Sequence, residues 1–321
     1  MENQKSVKKI FEREITFVDK LILFSDQTDF KNQEQTNNTF SEKWKVLDEN
    51  NSSEEYGFES FQRKWFLELY GFSSENDLKE FLKGKIIIDA GCGLGYKSNW
   101  FANLASDSLV IGIDYSNSVK IASEKYKKVD NLFFVQGDIA DTRIKLNSID
   151  LVICDQVIMH TEKPKKTFNH LSSLLAPMGE FCCYVYAKKA LPRELLDDYF
   201  RNETHKLTKD QVWELSEQLT ELGKRLTDLQ VKFNSPEIPL LGIKGGEYDI
   251  QRFIYWNFMK CFYNEDLGYE TSIAGNFDWY APSNARRFDE SEFKKMIYEN
   301  NLEIVHFHSE EACYSGRFKN S

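Results

Sequence analysis

Short runs of β-branched residues alternate with amphipathic segments from Lys85 onward. This alternation is typical of a parallel sheet whose strands are joined by crossover helices, because strands buried on both faces read as apolar runs. It therefore predicts an α/β core. The predicted strands are 85–89, 108–114, 132–136, 150–155 and 179–186, with helices near 96–106, 117–128 and 164–175.

The alternation stops after Ala187 and resumes only near the end of the chain. The gap indicates an insertion within the fold, predicted to be largely helical and to cover the substrate as a lid. The predicted parts are a helical and loop-rich N-terminal cap (1–84), a core (85–187 and 288–321) and the insertion (188–287), and the core resumes with a helix near 289–300 and strands at 302–309 and 312–319.

One helix of the insertion carries a narrow apolar seam, with residues that step by three and four. The seam either packs over the sheet as part of the lid or pairs with a second subunit, so a homodimer through the insertion helices stays open. Its residues are Val212, Leu215, Leu219, Leu222, Leu226 and Leu229.

The formal charge of −10 would repel a phosphate backbone on average. A nucleic-acid partner would need a local basic patch, for which Arg286, Arg287 and Lys294 are the visible candidates, so we do not expect one. The six cysteines lack the spacing of a zinc site or a disulfide framework. No run approaches the roughly 18 apolar residues of a membrane span. We expect a cytoplasmic protein without membrane contact or metal.

A glycine-rich turn follows the first predicted core strand, in Asp89-Ala-Gly91-Cys-Gly93-Leu-Gly95. Glycine permits a sharp turn and lets a ligand approach backbone N–H groups that a side chain would shield. The dinucleotide fingerprint G-x-G-x-x-G, counted from Gly91, would need a glycine at position 96, where this chain has Tyr96. The spacing therefore disfavours NAD.

Two further carboxylates follow the next strands, Asp114 after the second and Asp138 after the third. Ligands of open α/β sheets bind at this edge. Asp114 is placed to accept hydrogen bonds from two ribose hydroxyls, and Asp138 to accept an adenine amino proton. Asp89 and the loop amides would face an amino-acid end of the same ligand.

These segments resemble the class I S-adenosylmethionine-dependent methyltransferases, through DAGCGLG (89–95), GIDYS (112–116), GDI (137–139) and DLVICDQVIMHTEKP (150–164). The likeness is to the broad subgroup that also holds ubiquinone-pathway, sugar and small-metabolite methyltransferases. Its fourth strand often ends in His-His-Thr-Pro. This chain has Met159, His160, Thr161 and Glu162 there, so only the second histidine, His160, carries over.

The resemblance implies a Rossmann-like doubly wound sheet, mostly parallel with an antiparallel last strand, and S-adenosylmethionine as cofactor, with S-adenosylhomocysteine as product. A short segment ending at Trp44 is similar to one that folds over the cofactor in some bacterial members. The predicted cofactor-binding residues are Trp44, Asp89, Gly91, Cys92, Gly93, Gly95, Asp114, Tyr115, Ser116, Asp138, Ile139, Asp155 and Gln156.

The predicted reaction moves the methyl group to an oxygen or nitrogen of a small polar metabolite, with a sugar or a sugar-containing precursor as the candidate. His160 is the candidate general base, with Asp155 or Asp278 as alternatives. Polar aromatic residues in an irregular loop suit a sugar. The alternatives are a tRNA-modifying methyltransferase and a non-catalytic cofactor-binding module. The predicted substrate residues are His160, Tyr255, Trp279, Tyr280 and Arg286.

Overall fold

A mixed β-sheet with helices on both faces forms the centre of the protein. The computed structural model describes residues 2–24 and 53–320. The strands are β1 (Ile15–Val18), β2 (Leu21–Phe24), β3 (Ile86–Ala90), β4 (Leu109–Asp114), β5 (Leu132–Gln136), β6 (Ile149–Cys154), β7 (Leu175–Ala187), β8 (Lys232–Ser235), β9 (Gly246–Asp249), β10 (Arg287–Phe288), β11 (Leu302–Ser309) and β12 (Cys313–Asn320).

The helices follow the predicted alternation in the core and dominate the insertion. They are α1 (Glu2–Ile10), α2 (Ser53–Tyr70), α3 (Glu75–Leu82), α4 (Tyr96–Leu104), α5 (Ser118–Lys125), α6 (Pro164–Ser173), α7 (Leu191–Thr204), α8 (Lys209–Asp228), α9 (Ile250–Asn257), α10 (Tyr269–Tyr280) and α11 (Glu290–Glu299). Among the described residues no helix is long and apolar enough to cross a membrane.

The strand order of the main sheet is β1-β2-β5-β4-β3-β6-β7-β12-β11. The strands from β2 to β7 in this order run parallel, and β12 runs antiparallel to both of its neighbours. The predicted Rossmann-like doubly wound sheet with an antiparallel last strand is confirmed. The order reverses between β3 and β6, which is where sheets of this kind bind ligands, beyond the carboxyl ends of the strands.

The N-terminal region adds a hairpin to the sheet edge that the sequence analysis did not predict. β1 pairs with β2, and β2 lies parallel to β5 with Leu21 opposite Phe134. Each strand has only four residues, and Asp19 between them has a positive φ of 54°. Strands this short give no clear alternation of apolar and polar residues. Helices α2 and α3 precede the core within the predicted helical cap, and the Ser74 side chain caps α3 by accepting from the Asp77 N–H.

The insertion leaves and rejoins the sheet at neighbouring positions. It starts where β7 ends, and the short strand β10 returns beside the end of β7 with Phe288 opposite Ala187. The predicted seam of α8 divides: Val212 and Leu219 are buried against α10, whereas Leu222 and Leu229 are exposed. The buried half of the seam therefore packs mainly within the insertion itself. The lid and the homodimer both stay predictions.

Helix α8 approaches the backbone of the loop between α9 and α10 through Gly223. A Cβ atom at this position would lie 2.3 Å from the Cys261 carbonyl oxygen. We expect Gly223→Ala to lower the free energy of unfolding by about 1–3 kcal/mol through this overlap. An unhindered helix would instead gain about 1 kcal/mol from the same change.

Urea unfolding of the full chain measures this difference. Gln218→Ala, at an exposed position of the same helix, serves as the control and should change stability by less than about 0.5 kcal/mol. A Gly223→Ala variant as stable as the native chain would contradict the close approach of α8 to Cys261.

Candidate active site

A cavity of about 1060 Å³ lies beyond the carboxyl ends of the central strands. One side is formed by the loops that follow β3, β4, β5 and β6, and the other by the insertion. Its predicted residues include Asp89, Gly91, Cys92, Asp114, Tyr115, Ser116, Asp138, Ile139, Asp155, Gln156, His160, Tyr255, Asp278 and Trp279. The fold therefore brings most of the predicted cofactor and substrate residues together in one space.

The glycine loop is constrained by its own packing. Gly91 and Gly95 have φ values of 89° and 75°, and a Cβ atom on them would lie 2.4 Å from Val157 and 2.6 Å from Phe134. The N–H groups of Gly91 and Cys92 both donate to the Ile113 carbonyl, at 2.7 and 3.1 Å. Close contact with neighbouring side chains thus explains these glycines as well as ligand approach does. The loop amides of these two residues are already engaged within the fold.

Asp114 is fixed at the end of β4 by backbone donors. Its Oδ2 accepts from the Gly93 N–H at 2.9 Å and its Oδ1 from the Ser116 N–H at 2.8 Å. Carboxylate oxygens have further lone pairs, so both can still accept hydrogen bonds from a ligand. Asp138 is held in the same way by the Ala140 N–H at 2.8 Å, and burial raises its pKa.

Asp89 is buried at the end of β3, with 4% of its surface exposed. Burial raises its pKa to about 6, although the Ser98 hydroxyl and the charge of Lys97 oppose this shift. The Ser98 Oγ donates to Asp89 Oδ2 at 2.5 Å. A cationic ligand group in the cavity would offset the cost of keeping this carboxylate charged.

Asp155, at the end of β6, is the centre of a buried polar network that sequence analysis did not find. It forms an ion pair with Lys97, accepts from the Tyr70 hydroxyl at 2.8 Å and from Gln156 Nε2 at 3.3 Å. The pKa of Lys97 would fall through burial, but attraction by Asp155 raises it overall. Both oxygens of Asp155 are therefore engaged, which suits a positioning residue better than a general base.

His160 lies in a short 3₁₀ turn (Ile158–His160) after β6, with 7% of its surface exposed. Its Nδ1 is 2.7 Å from the Asn284 carbonyl oxygen, and its Nε2 is 3.3 Å from the Tyr186 hydroxyl. Since a carbonyl oxygen only accepts, Nδ1 carries the proton of the neutral ring and Nε2 is the acceptor. The Asn284 contact thereby fixes the tautomer that presents a basic nitrogen to Tyr186.

The remaining predicted residues lie in different places. Tyr280 is buried outside the cavity lining, and its hydroxyl contacts the backbone of Lys260. Arg286 also lies outside the lining, where it forms an ion pair with Glu292. Gly93 and Gly95 shape the loop without lining the cavity. Trp44 lies outside the described residues.

The sequence analysis missed several charged residues that line the cavity, because a charged residue is normally expected on the solvated surface of a protein. Arg193 has 1% of its surface exposed and forms an ion pair with Asp197, four residues later in α7. Lys189 and Lys260 also line the cavity. The Arg193–Asp197 spacing is the one sequence signal that could have suggested a pair on one helix face.

A group of possible metal ligands lies on the β11–β12 hairpin near the cavity rim. His308 Nε2 is 3.5 Å from Glu310 Oε2, and Cys313 Sγ is 3.4 Å from Glu310 Oε1. The sequence analysis expected no metal site, and that expectation stays a prediction.

A cavity at the switch point of a doubly wound sheet, lined by carboxylates that follow successive strands, is the place where α/β proteins of this fold bind nucleotide ligands. Residues 81–232 match the sequence profile of a family described as "Methyltransferase domain". Residues 81–232 therefore form a methyltransferase domain, which agrees with the class I S-adenosylmethionine-dependent family that the sequence motifs resemble.

Known proteins resemble the chain over different lengths. An uncharacterized protein of Synechococcus sp. is 31% identical over 32% of this chain and 25% of its own length. A ubiquinone biosynthesis O-methyltransferase of Coxiella burnetii is 24% identical over 57% of this chain and 79% of its own. The structure of magnesium protoporphyrin IX methyltransferase from Synechocystis PCC 6803 aligns with a TM-score of 0.49 and 13% identity, covering 92% of this chain and all of the other. The chain thus spans only a quarter of the length of the Synechococcus relative.

The Asp155 network makes a prediction about stability. Lys97→Met leaves a buried carboxylate without its cation, so we expect a loss of about 3–5 kcal/mol in the free energy of unfolding. In Lys97→Met/Asp155→Asn the uncompensated charge is removed while Tyr70 keeps an acceptor. The double variant should be more stable than Lys97→Met alone in urea unfolding. A double variant less stable than either single one would show that the pair is not coupled in this way.

Proposed function

We propose that this protein transfers a methyl group from S-adenosylmethionine to an oxygen or nitrogen of a small polar acceptor, with a sugar or a sugar-containing precursor as the leading candidate. The observation that carries the proposal is a shared cavity, in which the strand-end carboxylates and His160 meet the aromatic residues of the insertion. When bound, S-adenosylmethionine supplies an activated methyl group. The protein's task is then mainly to hold and orient the acceptor.

The cofactor fits the residues present on the sheet side. Asp114 has oxygens suited to ribose hydroxyls, and Asp138 has an acceptor suited to an adenine amino group. Asp89 offers a buried carboxylate whose pKa is raised by burial, with Lys97 opposing the shift only in part. An ammonium group on the ligand would supply a further cationic partner and favour the ionised form of Asp89.

The contacts of His160 support a role in removing a proton from the methyl acceptor. Its Nε2 is the acceptor nitrogen of the ring and contacts the Tyr186 hydroxyl, which itself lines the cavity. Burial raises the pKa of Tyr186, so this hydroxyl stays protonated at neutral pH. We propose that His160 takes a proton from an acceptor hydroxyl, directly or through Tyr186.

The tRNA alternative loses the basic patch on which it depended. Arg287 forms ion pairs with Glu194 and Asp198, Arg286 with Glu292, and Lys294 with Glu290. These paired charges leave little excess positive potential for a phosphate backbone. A small-molecule acceptor agrees better with these charges and with an enclosed cavity.

Binding measurements test the cofactor assignment. Calorimetric titration should give micromolar binding of S-adenosylhomocysteine and none of NAD, and Asp114→Ala should weaken the former at least tenfold. Because Ala also removes the acceptor of the Gly93 and Ser116 amides, Asp114→Asn is the matched variant that retains one carbonyl oxygen. Binding of NAD alone would overturn the proposal.

The role of His160 is tested by turnover. We expect His160→Gln to lower kcat by about 10²–10⁴-fold, the usual contribution of a general base, with S-adenosylhomocysteine affinity unchanged. Methyl transfer is measured on a panel of sugars and small metabolites, with His205→Gln as the exposed control. Equal turnover of His160→Gln and the native chain would exclude this base. Tight cofactor binding without transfer to any acceptor would instead favour the non-catalytic module.

A further inference from the structure

Both sides of the cavity carry mixed charges, but in different proportions. On the sheet side, where the cofactor is proposed to bind, the carboxylates of Asp89, Asp114, Asp138 and Asp155 outnumber the amines of Lys97 and Lys125. The insertion and its start contribute more cations than carboxylates. The cations are Lys189, Arg193, Arg252 and Lys260, and the carboxylates are Glu270 and Asp278. Neither Lys260 nor Arg252 lies within ion-pair distance of a carboxylate of the described residues.

Lys260 lies against an aromatic ring of the cavity lining. It is half-buried, its Nζ lies 5.0 Å from the centre of the Trp279 ring, and no hydrogen bond from Nζ to a described residue is found. Burial, and then the charge of Arg193, lowers its pKa to about 7, although Asp278 opposes this shift. A half-buried ammonium group without an ion-pair partner gains a favourable interaction when an anion enters the cavity.

The backbone around Lys260 is held in place by buried side chains of two helices. The Tyr280 hydroxyl accepts from the Lys260 N–H at 3.0 Å and donates to its carbonyl at 3.2 Å. Asn276 binds both the N–H and the carbonyl of Phe262, at 2.8 and 3.0 Å. Gln251 donates to the carbonyl of Cys261 at 2.9 Å. The lysine therefore projects from a loop that is already ordered, which lowers the entropic cost of binding.

Two further cations lie close enough to influence Lys260. The Arg193 guanidinium lies 5.2 Å from the centre of the same Trp279 ring, and its Nε donates a hydrogen bond to Asp197. Lys189 donates to two backbone carbonyls, and burial and then Arg193 lower its pKa to about 7. Two of these three cations thus lie around the Trp279 and Tyr255 rings with Asp197 and Asp278 as nearby carboxylates, and an anion that entered the cavity would reduce the repulsion among the cations.

We propose that this side of the cavity binds an anionic group of the methyl acceptor, a phosphate or a carboxylate, with Lys260 and Arg252 as its principal contacts and Arg193 and Lys189 as supporting charges. The inference rests on the proposed function and narrows its substrate class to acidic metabolites. Because His160 meets Tyr186, and Tyr186 packs on Trp279 at 5.0 Å, the anion would lie across this pair of aromatic rings from the proposed base.

Anion binding to the full chain tests this assignment. The protein is titrated with inorganic pyrophosphate and, separately, with citrate, each in the presence and absence of S-adenosylhomocysteine. We expect at least one anion to bind, and Lys260→Met to weaken it at least tenfold. Lys244→Met removes an exposed lysine of the same insertion and should have no effect. Pyrophosphate binding alone assigns a phosphate-bearing acceptor, and citrate binding alone a carboxylate-bearing one.

Arg252→Met gives an independent measurement if Lys260→Met does not fold, and Tyr280→Phe, which loses the donor to the Lys260 carbonyl, should give an intermediate loss. Absence of binding by both anions, or equal binding by the native chain and the folded Met variants, would overturn the inference. Loss of turnover in Lys260→Met with unchanged anion affinity would also overturn it, by assigning proton transfer to the amine. Binding of S-adenosylhomocysteine, measured in the same samples, shows separately whether the cofactor assignment holds.

Discussion

The buried contact between Lys97 and Asp155 joins three parts of the fold that the site requires. Lys97 belongs to α4, which follows the glycine loop, Asp155 ends β6, and the Tyr70 hydroxyl brings in the last residue of α2. Charges this deeply buried are stable only when paired and hydrogen-bonded. Helix α2, the glycine loop and the switch point of the sheet are therefore held in one arrangement.

Much of the core could be predicted from the sequence because its signals are local. A strand such as β3 is a continuous apolar run, and the glycine turn and Asp114 follow their strands at fixed positions. The β1–β2 hairpin could not be predicted, because four-residue strands carry no periodicity and their pairing with β5 is a long-range contact. The same holds for Tyr70, which reaches Asp155 across 85 positions of sequence.

The insertion shows a different limit of sequence reasoning. Tyr280 looked like a ligand-binding aromatic residue, but it holds the loop on which Lys260 lies. Arg286 looked like a free basic residue, but Glu292 pairs with it outside the cavity. Residue type indicates what a side chain can do, whereas its partners, which decide what it does, depend on helix packing that no local pattern encodes.

The pairing of β10 with the end of β7 also bears on how such proteins diversify. Phe288 lies opposite Ala187, so the polypeptide that departs from the sheet returns to within one strand spacing of its exit. Lengthening a loop whose ends are already joined costs little additional entropy. The insertion, with its cations and aromatic rings, can thus change in evolution while the sheet and the glycine loop keep their geometry. Under the proposed function, acceptor choice and cofactor binding would then be separately heritable properties of one chain.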